Sequence, residues 1–177
     1  MRATAIALTL IVAIASCDGP GGNSRSKRAD LKSQGLVEVG PIDETKIVAG
    51  QTIFVPACSH VYTADNAQPL NLATTLIVRN TDPDRPIVLV RVRYHDSRGK
   101  LVRELVKTPS RLAPLASAEF FVGESDDSGE ASPSFLVEWV AEQSGSEPLA
   151  ETVMISTAGT QGISFTWTGR VIRSPQP

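Results

Sequence analysis

Leu70-Asn71-Leu72-Ala73-Thr74-Thr75-Leu76-Ile77-Val78 and Ile87-Val88-Leu89-Val90-Arg91-Val92-Arg93-Tyr94-His95 decide the fold. In the first run the even positions are apolar, apart from Thr74. In the second, Val88, Val90, Val92 and Tyr94 take one parity, while Arg91, Arg93 and His95 take the other. A repeat of two puts alternate side chains on opposite faces, as in a strand with one buried side. The connecting stretch Asn80-Thr81-Asp82-Pro83-Asp84-Arg85-Pro86 is rich in turn formers, and its prolines have no N–H for a ladder. After the second run, Asp96-Ser97-Arg98-Gly99-Lys100 reads as a hairpin, with Gly99 supplying a positive φ.

The same period recurs along the chain. Phe135, Val137, Trp139 and Ala141 share one parity, as do Ile163, Phe165 and Trp167. Further strands are expected over 46–55, 101–107, 117–122 and 150–157, and no stretch keeps helical spacing for three turns. Residues 36–177 therefore predict an all-β domain, a single antiparallel immunoglobulin-like β-sandwich of about eight or nine strands. A small up-and-down β-barrel is the alternative. The absence of a Cys…Trp…Cys pattern excludes an antibody-type domain. Aromatic residues are few (five Phe, two Trp, two Tyr), so Val, Leu and Ile must fill the core. No internal repeat or second linker divides this region.

Upstream of the domain the composition changes twice. Residues 1–16, Met1 to Ser16, carry Arg2 as their one charge and are apolar from Ala3 to Ala15 but for two threonines. A helix of fourteen residues rises about 21 Å, short of the roughly 30 Å of a bilayer core, so a cleaved export signal fits better than a spanning helix. Ile14-Ala15-Ser16-Cys17 resembles the lipobox of bacterial lipoproteins, in which the cysteine is acylated and becomes the mature N-terminus. Cleavage after Ala15 is the rival, and it leaves Cys17 free to pair with Cys58 in an oxidising compartment. Residues 17–35 then form a lipidated cysteine and a Gly-, Ser- and Pro-containing tether. As a flexible coil it spans roughly 24 Å. Its charged residues Asp18, Arg25, Lys27, Arg28, Asp30 and Lys32 total +2, whereas residues from Leu36 onward total −5. Basic residues beside anionic lipid suit a second anchor, and an acidic domain argues against nucleic acid as a partner. The expected location is a bacterial cell membrane, with the domain lipid-anchored and facing the periplasm or exterior.

Tests for chemistry return little. Ser59 and His60 are neighbours, so on a strand they face opposite sides and cannot pair. Ser59 with His95 and Asp96 needs a fold that gathers them, and no G-x-S-x-G elbow is present. Cys58, His60 and His95 are the candidate ligands for a copper or zinc site, but Cys58-x-His60 lacks cupredoxin spacing. The run from Glu124 to Glu130 resembles a calcium loop only superficially. Its twelfth position is Phe135, where a bidentate glutamate is required, so a solvated acidic hairpin is expected. No phosphate-binding loop, CxxC pair or dinucleotide fingerprint occurs. Catalytic residues, a metal and a cofactor are therefore not expected. His60 reads as a strand or loop residue bonded to backbone, and Cys58 as a small hydrophobe in a strand.

Several blocks carry a resemblance. They are Leu72 to Val102, Ser59-His60-Val61-Tyr62, Phe135-Leu136-Val137-Glu138-Trp139, and Gln161-Gly162-Ile163-Ser164-Phe165 leading to Gly169-Arg170-Val171-Ile172. In this order the chain resembles, over about residues 50–172, a bacterial family known only as domain of unknown function 3124. That resemblance implies small exported proteins, often lipoproteins, without assigned activity and without catalytic residues to carry over. Two departures stand out: Ala57-Cys58 where the family usually has Val-Tyr, and an altered Gly-rich stretch at Gly129 to Ser134. If the shared blocks include a surface, its polar members are His60, Tyr62, Asp82, Glu138, Glu151 and Gln161. Glu138 alternates away from its apolar neighbours and is expected to face water. Taken together, the sequence predicts a non-enzymatic envelope module, held by membrane lipid through Cys17 and meeting an envelope protein or polymer. A periplasmic copper- or zinc-binding protein is the first alternative, and a hydrolase the second.

Overall fold

The computed structural model describes residues 35–62, 68–158 and 162–174. Two antiparallel sheets carry most of the strand residues. The larger contains β1 (Leu36–Glu38), β2 (Ala49–Pro56), β6 (Ile87–His95), β7 (Leu101–Val106), β8 (Ser110–Leu112), β10 (Ser134–Ala141) and β13 (Arg170–Arg173). Its order is β1-β8-β6-β10-β2-β13, with β7 also beside β6. The smaller has the order β12-β11-β5-β9, from β5 (Ala73–Arg79), β9 (Ser117–Val122), β11 (Leu149–Ser156) and β12 (Ile163–Thr168). A separate ribbon pairs β3 (His60–Tyr62) with β4 (Pro69–Asn71). Among the described residues the one helical piece is a 3-10 turn at Glu44–Lys46, and no helix is long and apolar enough to cross a membrane.

Alternation explains the pairing of the layers. The larger sheet turns Ile53, Val55, Leu89, Val92, Tyr94, Phe135, Val137 and Trp139 inward, each at most 3% exposed. The smaller sheet answers with Leu76, Val78, Ala118, Phe120, Val122, Ala150 and Met154. Burying these apolar faces against each other is the main driving force for a sandwich. Both sheets end in strands with a free edge, so the structure is an antiparallel sandwich and not the alternative closed barrel.

Four details depart from expectation. Thirteen strand segments occur among the described residues where eight or nine were expected, because three-residue pieces such as β1, β3, β4 and β8 carry too few residues for a period. The expected 46–55 strand starts at Ala49, since the Asp43 side chain caps Thr45 N at 3.1 Å and holds the preceding turn. In β6, Ile87 and Leu89 are buried at 2% and 0%, and Val88 and Val90 point outward. Trp139 pairs with Leu89 and Glu138 with Arg91, which leaves Val90 extra in a β-bulge that shifts the parity before Val92. A run with valine or another aliphatic at every early position fits both phases, so alternation alone chooses neither. Finally, Ile163, Phe165 and Trp167 do share a face, opposite Ser156, Met154 and Thr152. They lie on an edge strand, and Phe165 and Trp167 stay 38% and 43% exposed.

Candidate functional site

A cleft of about 370 Å³ lies between the β3–β4 ribbon and the β9–β10 loop. Ser59, His60 and Asn71 form one wall; Glu124, Ser125, Asp126, Asp127 and Glu130 form the other. Backbone pairing fixes the two walls. Ala57 N donates to Pro133 O at 3.0 Å, Ser59 N to Ala131 O at 3.2 Å, and Leu72 N to Ser59 O at 2.8 Å. Ser97 adds a brace, its hydroxyl accepting from Ser132 N at 2.8 Å and donating to Gly129 O at 3.3 Å.

The acidic wall is only partly solvated, in contrast to the free hairpin expected from sequence. Asp126 Oδ2 accepts from Arg103 at 2.6 Å, and Glu130 pairs with Arg98 at 2.5 Å. Burial pushes the Asp126 carboxyl up, but the Ser128 hydroxyl and Arg103 outweigh it and hold it below the ordinary carboxylate range. Glu124 and Asp127 have no such ion pair among the described residues. With two carboxylates unpaired, the cleft suits a cationic or hydroxyl-rich group. Behind this wall sits Tyr94, 1% exposed, with Arg103 stacked 5.6 Å over its ring and its phenol raised by burial.

His60 and Tyr62 belong together. The imidazole Nε2 lies 3.2 Å from the Tyr62 hydroxyl and the rings meet edge to face, so the histidine's partner is this side chain and not the expected backbone group. The other polar residues singled out from sequence go elsewhere. Asp82 is 4% exposed in the β5–β6 loop, where its carboxylate accepts from the backbone N–H groups of Asp84, Arg85 and Ser146 at 2.9 Å each. These bonds, that to Asp84 foremost, hold it below the ordinary carboxylate range. Glu138 projects from the outer face of the larger sheet and pairs with Arg93. Glu151 projects from the outer face of the smaller sheet and pairs with Arg79 at 3.3 Å. Of the five that fall within the described residues only His60 and Tyr62 come together, and Gln161 lies outside those residues, as does Cys17. Asn71, Glu124 and Asp127 join His60 only in three dimensions, because β4 and the β9–β10 loop are distant from it in sequence.

The candidate metal ligands are not gathered. Cys58 is tied inward, its N–H on Met154 Sδ at 3.2 Å and its carbonyl accepting from Thr74, and burial pushes its thiol up. His95 stands on the outer parity of β6, where burial and then Arg93 depress its imidazole. No group of three or more His, Cys, Asp or Glu side chains is placed to hold a metal ion among the described residues.

No curated protein matches the chain. One solved structure, described as the crystal structure of Thermotoga maritima 1070, is similar at 12% identity and a TM-score of 0.39, over 68% of this chain and 92% of that one. A likeness that distant carries no weight for function. The pattern of His60-Val61-Tyr62 on the cleft, the β5–β6 pair and the Phe135–Trp139 core strand falls within residues 50–172, which match one family model, and the chain belongs to that family, protein of unknown function (DUF3124).

Proposed function

We propose that the chain is a non-catalytic binding module of the bacterial envelope, held to a membrane by acylated Cys17. The observation that carries the binding reading is the cleft at His60. It is polar, open and backed by a braced loop, and its histidine is engaged with Tyr62 and not with Ser59. An acid–base catalyst needs a base within hydrogen-bond reach of its nucleophile. A recognition site needs fixed donors, acceptors and an aromatic edge, which this wall supplies. The tether reading rests on Ile14-Ala15-Ser16-Cys17 and on the basic run before Leu36.

Intact mass of the protein purified from membranes, beside Cys17→Ala, tests the tether. A chain beginning at Cys17 with added acyl mass is expected, and Cys17→Ala should lose that mass. A chain beginning at Ser16, two mass units light from a Cys17–Cys58 disulfide, would overturn it. The cleft is tested separately by a photo-crosslinking residue at Asn71, with Glu119 on the outer face of the smaller sheet as the control position. Capture of envelope material from Asn71 alone is expected, and equal capture from both positions would remove the cleft as the site.

A further inference from the structure

The outer face of the larger sheet can be mapped from strand register. One row runs Glu104, Arg93, Leu136, Phe54, Arg170; the next runs Arg91, Glu138, Thr52, Arg173. A third runs Val37, Arg111, Val88, Val140, Gly50. Five arginines and two glutamates therefore share one face of a domain whose sequence is net acidic. Arg93 is ion-paired with Glu138. Arg91, Arg111, Arg170 and Arg173 have no carboxylate within ion-pair distance among the described residues. Arg91 and Arg93 on β6 are separated from Arg170 and Arg173 on β13 by two strands, or about 14 Å. Between them lie Leu136, Phe54 and Val140, and a groove of about 320 Å³ lined in part by Thr52, Glu138, Val140 and Arg173. Phe54 is 37% exposed and Ile172, beside Arg173, is 53% exposed.

We infer that this face lies on the anionic headgroups of the membrane. Guanidinium groups bind phosphodiesters through paired donors, and arginines around exposed aliphatic and aromatic side chains match a surface whose charge overlies hydrocarbon. A soluble polyanion would meet the charges but leave Phe54 and Ile172 without a partner. The path of the chain agrees. The eighteen residues after Cys17 lead directly into β1, an edge strand of this same sheet, whose Val37 points to the arginine face. The inference deepens the proposed function: it takes its location from the tether reading, and its chemistry from the face alone.

Flotation of the full chain carrying Cys17→Ala tests the face without acyl chains. Phosphatidylglycerol and phosphatidylcholine vesicles are compared at low and high salt; the apolar leader and the basic tether are common to every variant, so the arginine-pair comparison isolates the face. Preferential binding to phosphatidylglycerol that disappears at high salt is expected. Arg91→Glu with Arg173→Glu should weaken it about 30-fold. Lys46→Glu with Lys100→Glu, an equal charge change in loops off the face, should leave it within about threefold. Unfolding midpoints of all three proteins check that these exposed substitutions leave the fold intact. Equal flotation with both lipids, or no effect of the arginine pair, would overturn the inference. So would retention by soluble dextran sulfate without vesicle binding, which would identify a polymer-binding face. None of these outcomes depends on whether Cys17 is acylated, so the intact-mass result stands or falls independently.

Discussion

Asn80 links three segments with one side chain. It is 2% exposed, and its amide donates to Arg85 O at 2.8 Å, Ala113 O at 3.0 Å and Leu112 O at 3.3 Å. Its carbonyl oxygen accepts from Asp82 N at 3.0 Å, so the same residue sets up the Asp82 carboxylate that binds the next turn. Asn80→Ala orphans those groups away from water, which costs about 3 kcal/mol. A urea midpoint within experimental scatter of the parent would contradict that. Tyr62 behaves differently, since it is 56% exposed and among the described residues its hydroxyl pairs with His60 alone. Tyr62→Phe is expected to change stability by less than about 0.5 kcal/mol, while reducing crosslinked capture at the cleft. Loss of fold would show that the pair is structural.

At the scale of elements, the crossing from the smaller sheet to the larger turns on Gly169. Its N–H donates to Ala150 O at 2.8 Å, and a Cβ there would stand 2.6 Å from Ile53 Cγ2 and 2.8 Å from Val55 Cγ2. Gly169→Ala must push β13 off β2 or displace two core side chains, at a cost of about 1–3 kcal/mol. Gly40→Ala, with nothing within 4 Å, is the neutral comparison in the same urea titration. The long strands were legible because one face is buried and the other wet: β9, β10 and β11 fall within one residue of their expected bounds, whereas the expected 70–78 run is divided at Leu72 between β4 and β5. So was the Asp96–Lys100 hairpin, where Gly99 has φ +78° and Asp96 Oδ1 accepts from Arg98 N and Lys100 N at 2.9 Å. The bulge at Val90 was not, because β-branched residues at both parities hide a one-residue slip. Of the cleft, His60 and Tyr62 were legible as polar residues in a β segment. Their opposite wall was read only as an acidic stretch, since its arginine partners come from the strands and hairpin between β6 and β8.

Over the whole molecule, the titratable groups predict a plateau of stability near neutral pH with losses on both sides. His95 is depressed by burial and then by Arg93, with Asp96 acting the other way, so the fold favours the neutral imidazole. Below the unfolded histidine value of about 6.5 the unfolded chain binds the extra proton, and stability falls as pH drops from there through the lower folded value. Asp82, Asp96 and Asp126 are also depressed, chiefly by hydrogen bonds to their ionised forms, with burial opposing them. Their contribution is complete above about 3.9 and is lost as pH falls through the folded values. Cys58 and Tyr94 are raised, foremost by burial, so their contribution is complete below their unfolded values of about 8.5 and 10 and is lost as pH rises through the folded ones. The urea midpoint is therefore expected to hold between about pH 7 and 8. It should decline in two stages on the acid side, with His95→Gln abolishing the first stage and leaving the second. Cys58→Ala should remove the earlier part of the alkaline decline. A parent midpoint that stays level from pH 8 to pH 5 would show that His95 keeps its proton affinity on unfolding. An alkaline decline that is the same in the parent and in Cys58→Ala would show that the thiol contributes no pH dependence, and a reductant that restores the difference would place Cys58 in a disulfide, the outcome that the acylated-Cys17 reading excludes within one chain.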